Sequence, residues 1–254
     1  MKKVVFIGAG PGDPELITLK GKRYLEQADV VIYAGSLLNP QILNYAKPSA
    51  QLYDSAKMSL PEVLKVMVEG AKAGKLVARV NDGDPSFYGA IQEQMDALDK
   101  EKIEYFRVPG VSCLQGGAAA LNRELTLPNI TQTVIITRPA GRTPVPEAET
   151  ISKLAAHLAT MVIFLGTPHI ARVVEELVKG GYPKDTPVSV VYKATWPEQK
   201  IVKGTLNDIV TKVKAAGITE TALIYVGKVL NPQGYDLSKL YDPAFTTGFR
   251  KGEE

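Results

Sequence analysis

The stretch KVVFIGAGPGDPELIT, residues 3–18, places an apolar, β-branched run directly before three closely spaced glycines. An apolar run predicts a buried strand, and a glycine-rich turn that leads into helical spacing is typical of nucleotide-binding α/β proteins. The dinucleotide motif reads G-x-G-x-x-G, whereas Gly8, Gly10 and Gly12 give G-x-G-x-G, with Asp13 where the third glycine belongs. The turn therefore departs from the motif at its last glycine.

The same turn is poorly suited to hold a phosphate. Pro11 and Pro14 have no backbone N–H to donate, and Asp13 puts a negative charge where an anion would lie. No Lys-Ser or Lys-Thr pair follows, so the Walker A motif is absent as well. The stretch instead predicts a rigid turn that lets another kind of ligand approach the carboxyl end of a strand.

Composition and charge argue against several classes of binding partner and of metal site. The chain has 254 residues with 45% hydrophobic content and a formal net charge of +3, and its basic residues are scattered, which argues against a nucleic-acid partner. Cys113 is the sole cysteine, so an intrachain disulfide and a cysteine-based zinc site are excluded, and two histidines do not favour a histidine-rich metal site. We find no signal peptide and no run long enough to span a membrane, and we expect a cytoplasmic protein with no metal site.

Strand-like runs alternate with helical spacing along the whole chain. This alternation predicts an α/β fold built from βαβ units with mostly parallel sheets. We expect two α/β domains with a cleft between them: an N-terminal domain over 1–127, a C-terminal domain over 128–230 and a tail over 231–254. Strands are predicted at 3–8, 29–34, 75–80, 103–108, 131–138, 160–166, 186–194, 200–206 and 221–227, and helices at 60–73, 90–100, 110–122, 147–158, 168–180 and up to about 216.

Five motifs occur in order along the chain. They are GAGPGDPELIT at 8–18, RVNDGDPSFYGA at 79–90, RVPGVSC at 107–113, VIFLG at 162–166 and VVYKATWPEQKIVKGTL at 190–206. Together they resemble the tetrapyrrole (corrin/porphyrin) methylases. The resemblance implies a two-domain α/β methyltransferase of the tetrapyrrole methylase type that is a homodimer and uses S-adenosylmethionine.

Two further stretches point to one branch of that family. TQTVIITRPAGRTPVPE at 131–147 and SKLYDPAFTTGFRK at 238–251 are most similar to the enzymes that methylate C-11 of precorrin-4 or cobalt-precorrin-4 in cobalamin biosynthesis. Uroporphyrinogen methylases carry an aspartate after the second strand, where this chain has Gly35. That departure counts against uroporphyrinogen as the substrate.

The resemblance also implies which residues bind the cofactor. These residues match the family motifs: Pro11, Asp82, Gly83, Asp84, Phe87, Ser112, Cys113, Leu165 and Ala194. Methyl transfer from a sulfonium to an electron-rich carbon needs no nucleophilic side chain, because the enzyme aligns the reactants and excludes water. We therefore assign no catalytic residue.

A tetrapyrrole of this pathway is a polyanion, and arginine binds carboxylates in bidentate fashion. Arg138 and Arg142 lie in a proline-stiffened loop, and Lys193 lies beside the ATWP stretch, so we expect these three residues to contact substrate carboxylates.

Three alternatives remain open on the sequence. The first is methylation of another tetrapyrrole position or of ribosomal RNA, although the charge balance argues against an RNA substrate. The second is a nucleotide- or NAD-binding α/β protein, against which the Pro-Gly-Asp opening argues. The third is a catalytically silent ligand-binding relative.

Overall fold

The computed structural model describes residues 3–253 and divides into two compact units. The first unit comprises Met1–Ala120 together with Lys193–Lys200, and the second comprises Leu121–Tyr192 together with Ile201–Glu254. The connection between two strands of the second unit therefore belongs to the first. The domain limits expected from the sequence, at 127 and 230, stay a prediction.

The first unit contains a fully parallel sheet of five strands in the order β3-β2-β4-β1-β5. The strands are β1 Lys3–Gly8, β2 Val30–Tyr33, β3 Gln51–Asp54, β4 Leu76–Asn81 and β5 Glu104–Val108. The helices are α1 Leu19–Gln27, α2 Leu60–Lys72, α3 Gln92–Lys100 and α4 Cys113–Leu121. Strand β3 was not predicted, because its QLYD sequence is short and half polar.

Alternation along β1 explains why both faces of this sheet are covered. Val5 and Ile7 belong to one buried cluster, whereas Val4 and Phe6 belong to another. Successive side chains of a strand point to opposite faces, so an uninterrupted apolar run requires a core on each side. Two hydrophobic layers therefore cover β1, one on each face of the sheet.

The second unit contains a mixed sheet in the order β6-β7-β10-β8-β9. Its strands are β6 Val134–Thr137, β7 Thr160–Ile163, β8 Pro187–Tyr192, β9 Lys200–Thr205 and β10 Ala222–Val226, and its helices are α5 Ile151–Ala155, α6 Ile170–Lys179 and α7 Ile209–Ala215. One buried cluster that includes Met161, Val173 and Ile224 packs the helices on the sheet. The helix predicted at 147–158 is a 3-10 turn followed by the short α5.

The expectation of a mostly parallel sheet is wrong for β10, which runs antiparallel to both β7 and β8. The neighbours β8 and β9 are joined by residues 193–199, a connection too short for a parallel crossover, so the chain reverses there. Helix α7 then returns the chain so that β10 keeps the direction of β9. The strand inserted between β7 and β8 consequently opposes both.

The C-terminal tail forms ordered turns. The Arg250 guanidinium donates to the backbone carbonyls of Leu240, Asp242 and Phe245. Apolar side chains nevertheless face outward, and Phe249 is fully exposed. None of the helices within residues 3–253 is long and apolar enough to cross a membrane.

Asp29 joins three strands at the amino edge of the first sheet. Its carboxylate accepts hydrogen bonds from Lys47 Nζ at 2.5 Å and from the Leu76 amide at 2.8 Å. The hydrogen bond from Lys47, followed by that from Leu76, holds the pKa of Asp29 below its usual value. Because the folded pKa is depressed, the stabilisation is present at neutral pH and is lost as the pH falls through that pKa.

We expect Asp29→Asn to be less stable than the wild type at neutral pH. The difference should shrink as the pH falls from about 5 to about 2, since the wild-type carboxylate becomes protonated there. Urea unfolding at a series of pH values measures both curves. A stability difference independent of pH would contradict the assignment.

Candidate active site at the carboxyl edge of the first sheet

Three glycine turns meet where β1, β4 and β5 end. A β-carbon on Gly8 would lie 2.6 Å from the Gly110 nitrogen and 2.7 Å from the Gly83 carbonyl oxygen. A β-carbon on Gly110 would overlap that same carbonyl oxygen. Gly83 itself has a φ of 55°, in the left-handed region that favours glycine. The backbones can approach this closely because Gly8 and Gly110 lack side chains, while Gly83 supplies the left-handed conformation of its turn.

Asp84 connects two of these turns. Its carboxylate accepts the Gly110 amide at 2.8 Å through Oδ2 and the Ser86 amide at 2.8 Å through Oδ1. Burial alone would raise the pKa of Asp84, but the hydrogen bonds from Ser86 and Gly110 outweigh it and hold the pKa below its usual value. The ionised carboxylate thus fixes the turn after β4 to the turn after β5.

Two further titratable residues are Arg79, in β4, and Asp82, which follows that strand directly. Arg79 is 6% exposed, and its guanidinium donates to Gln94 and to the carbonyls of Ile32 and Val80. Burial lowers the pKa of Arg79 to about 10, and burial raises the pKa of Asp82, which the Arg79 charge partly offsets.

Cys113 lies against Gly83 in the same region: a β-carbon on Gly83 would be 3.1 Å from its sulfur. Burial, reinforced by the Asp82 carboxylate, raises the pKa of the Cys113 thiol to about 12. Burial therefore favours the neutral forms of Asp82 and Cys113.

Asn81, the last residue of β4, has an acceptor that the protein leaves unused. The residue is 4% exposed, and within residues 3–253 its Oδ1 is the buried side-chain polar atom that has no hydrogen-bond partner. An unpartnered buried acceptor costs free energy unless a water or a ligand satisfies it. Asn81 therefore offers a binding group at the strand end.

Three amides of the opening turn donate hydrogen bonds within the protein. The amides of Ala9 and Gly10 donate to the carbonyls of Asn81 and Gly83, and the Asp13 amide donates to Thr195 Oγ1 at 2.9 Å. The Asp13 side chain caps the following 3-10 turn by accepting the Glu15 amide. Donors engaged in this way are not available to an anion. The sequence likewise indicates that this turn is poorly suited to hold a phosphate.

The carbonyl groups of the turn are engaged as well. The Asn39 side chain, which is buried, donates to the Gly12 carbonyl at 2.8 Å, and the Trp196 indole donates to the Pro11 carbonyl at 3.0 Å. Sequence reasoning did not identify either partner. The Asn-Pro pair at 39–40 signals only a helix cap, and no local pattern shows that Trp196 returns to residue 11.

The predicted cofactor residues are divided between the two units, with Leu165 in the second unit and the others in the first. Leu165 lies in the second unit, is 58% exposed and has a φ of 54°. The Ser112 hydroxyl accepts the Leu114 amide at the start of α4. Gly83 lies against Ser112 and Cys113, and Asp84 accepts the amide of Gly110. Apart from Leu165, the predicted cofactor residues all belong to the first unit: Pro11, Asp82, Gly83, Asp84, Phe87, Ser112, Cys113 and Ala194.

The predicted substrate arginines lie in the second unit and differ in their surroundings. Arg138 follows β6 and donates to the carbonyls of Pro139, Thr143 and Pro144, so its guanidinium organises its own loop. Arg142, in the same loop, is exposed. Lys193, in the first unit, lies with its ammonium 4.7 Å from the centre of the Trp196 ring. Within residues 3–253 no three His, Cys, Asp or Glu side chains come together as metal ligands would.

A family model described as tetrapyrrole (corrin/porphyrin) methylases matches residues 3–210. The chain belongs to this family. The family resemblance and the α/β fold class predicted from the sequence are thereby confirmed.

This tetrapyrrole methylase has full-length relatives. Cobalt-precorrin-4 C(11)-methyltransferase of Methanocaldococcus jannaschii is 56% identical over 253 residues, covering 100% of this chain and 98% of the relative. The X-ray structure of a cobalt precorrin-4 methyltransferase superposes with a TM-score of 0.89 and 47% identity, covering 91% and 97% of the two chains. Uroporphyrin-III C-methyltransferase of Thermus thermophilus, solved with S-adenosylhomocysteine, gives a TM-score of 0.75 at 25% identity, covering 90% and 93%.

We expect Asp84→Ala to destabilise the methylase by about 1–3 kcal/mol, since the Gly110 and Ser86 amides lose their acceptor. Thermal or urea unfolding measures the change. Asp185→Ala is a matched control, because Asp185 is an exposed aspartate in the turn before β8. Equal effects of the two substitutions would show that Asp84 does not connect the turns.

We also expect the Cys113 thiol to react slowly. At pH 8 its reaction with a disulfide reagent should be roughly a hundredfold or more slower than that of a free cysteine, since only the thiolate reacts. The rate should reach the ordinary value after unfolding in urea. As Cys113 is the sole cysteine, a single colour change reports it. A fast reaction of the native protein would contradict the raised pKa.

Proposed function

We propose that this protein transfers a methyl group from S-adenosylmethionine to C-11 of precorrin-4 or cobalt-precorrin-4 in cobalamin biosynthesis. The observation that carries the proposal is the 56% identity to a cobalt-precorrin-4 C(11)-methyltransferase over the full length of both chains. Gly35, at the position where uroporphyrinogen methylases carry an aspartate, favours this reaction over methylation of uroporphyrinogen.

The residues at the carboxyl edge of the first sheet fit S-adenosylmethionine, which supplies an electrophilic methyl group on a sulfonium. The cofactor presents ammonium, amino and hydroxyl donors, and the chain offers the unused Asn81 Oδ1 and the half-buried Asp82 carboxyl as acceptors. Phe87, at 39% exposure, offers an apolar surface. The amides of Ala9, Gly10 and Asp13 are engaged within the protein, which suits a ligand without phosphate.

We propose that the residues implied by the family motifs bind the cofactor. They are Pro11, Asp82, Gly83, Asp84, Phe87, Ser112, Cys113, Leu165 and Ala194, and Asn81 is added from its buried acceptor. In this set Asp84 acts through the backbone, since its carboxylate already holds two amides. Cys113 stays a neutral thiol and takes no part as a nucleophile.

The chain's own contribution to the reaction is to bind, orient and exclude water. Methyl transfer to carbon consumes the positive charge of the donor, and the Asp82 carboxyl, whose pKa burial raises, opposes that change less than a carboxylate of ordinary pKa would. The rigid glycine turns keep the strand ends in one position, so the alignment of the two reactants needs little reorganisation. We assign no general base.

We propose that substrate carboxylates bind Arg142 and Lys193. Arg142 is exposed on a loop that Arg138 holds in shape through three carbonyls, so a charged group is presented on a preorganised backbone. Arg138 therefore supports the substrate site as a loop-forming residue, and a direct contact from it would require these bonds to break.

Arg142→Ala should raise the KM for the tetrapyrrole about tenfold, the loss expected for one charge-assisted contact. The dissociation constant of S-adenosylhomocysteine should stay unchanged, because the substitution removes only a substrate group. Arg23→Ala, an exposed arginine on α1, is the matched control. An unchanged KM for Arg142→Ala would remove this residue from the substrate site.

We further propose that the chain forms a homodimer in the cytoplasm. The ordered tail exposes apolar side chains that a partner surface could cover, among them Leu237, Tyr241 and Phe249. Light scattering after size exclusion measures the oligomeric state. A monomer at micromolar concentration would contradict the proposal.

The reaction itself is tested with purified protein, S-adenosylmethionine labelled in the methyl group and either precorrin-4 or cobalt-precorrin-4. We expect one labelled methyl group, located at C-11 by NMR. Labelling at another ring carbon would assign a different tetrapyrrole position, and no transfer to either substrate would reject the proposed activity.

A further inference from the structure

The connection between β8 and β9 turns back onto the opening glycine turn. Residues 193–200 belong to the first unit, although β8 and the rest of β9 belong to the second. Thr195 Oγ1 accepts the Asp13 amide at 2.9 Å, and the Trp196 indole donates to the Pro11 carbonyl at 3.0 Å. Two side chains of this connection thus hold the residues on either side of Gly12.

The indole also explains why residue 12 is a glycine. A β-carbon on Gly12 would overlap Cδ1 and Nε1 of Trp196 and lie 2.9 Å from its Cγ. The φ of Gly12 is not in the left-handed region, so backbone conformation does not demand glycine there. The third glycine of the opening stretch has no side chain, and the ring of Trp196 occupies the space that a side chain would take.

The backbone of the connection is strained where it makes these contacts. Lys193 has a φ of 45° and Thr195 a φ of 71°. For a β-branched residue such as threonine this region is a genuine outlier. Strain of this kind persists where the surroundings enforce it, and here the Thr195 amide is held by Gln199 Oε1 at 2.7 Å while its hydroxyl is held by Asp13.

We propose that Trp196 and Thr195 are positioning residues for the methyl donor. They fix the Pro11–Asp13 turn in the form in which it borders the cofactor site, and neither touches the reacting atoms. This inference rests on the proposed function, because it assumes that the turn borders the methyl donor. It extends that function by assigning two residues that are not members of the proposed cofactor set.

The first test removes one hydrogen bond. Trp196→Phe keeps an aromatic ring against Gly12 but has no N–H for the Pro11 carbonyl, and Thr195→Val removes the acceptor for the Asp13 amide. Each should raise the dissociation constant of S-adenosylhomocysteine about threefold to tenfold, the range expected for one hydrogen bond. Equilibrium dialysis measures the constant. Unchanged constants, with a lower melting temperature only, would show a merely structural role and overturn the inference.

The second test is a double-mutant cycle between Gly12 and Trp196. Gly12→Ala should weaken S-adenosylhomocysteine binding at least tenfold in the wild type, since its methyl group displaces the indole. In a Trp196→Ala background the same change should cost less than threefold, because the space is then open. Additive effects in the cycle would overturn the inference. Gly248→Ala is the control, as a β-carbon there meets no atom within 4 Å.

Fluorescence gives a readout that separates this inference from the proposed function. Trp196 is the sole tryptophan, so emission reports on the indole directly. Gly12→Ala should shift the emission to longer wavelength, and S-adenosylhomocysteine should change the wild-type emission as it binds. If the wild type binds the ligand by dialysis and its emission stays constant, the positioning role is rejected while the proposed function stands. If the wild type does not bind the ligand, both are rejected.

Discussion

The close approach of three backbone turns at Gly8, Gly83 and Gly110 is the constraint on which the candidate site depends. A side chain at Gly8 or Gly110 would collide with the main chain of the neighbouring turns, where no rotamer change gives relief. Because the turns share one edge of a parallel sheet, their side chains converge there. The Asp84 carboxylate, the Cys113 thiol and the Asn81 amide owe their positions to this contact.

The electrostatic character of the site follows from the same packing. Arg79 is buried, and its guanidinium donates to two carbonyl groups and to Gln94, so little of its charge is exposed to solvent. Asp82 is consequently only partly compensated, and burial raises its pKa. The amides of Ala9, Gly10 and Asp13 are engaged within the protein while Asn81 retains an unused acceptor, which suits a cofactor that presents donors better than a dinucleotide. This agrees with the absence of a complete phosphate motif in residues 8–13.

The sequence predicts local features of the fold better than the long-range ones. The apolar run of β1 and the glycines after it define a buried parallel strand and its turn, because strand periodicity and glycine chemistry act over a few residues. The antiparallel β10 could not be predicted, since its direction depends on how the chain reverses at 193–199. The partners of the opening turn, Asn39 and Trp196, come from distant segments, and no local pattern encodes such contacts. Arg138 shows the remaining difficulty, as a loop arginine offers the same sequence signal whether it binds a ligand or its own backbone.

The assignment of Lys193–Lys200 to the first unit has a consequence for biosynthesis of the chain. Translation releases residues from the amino end, so the first sheet and its glycine turns leave the ribosome well before this connection does. The residues that hold Pro11 and Asp13 are then still missing, and Leu121–Tyr192 has to be synthesised first. The opening turn therefore reaches its final form only after β6, β7 and β8 have been made, which links maturation of the candidate site to synthesis of the second unit.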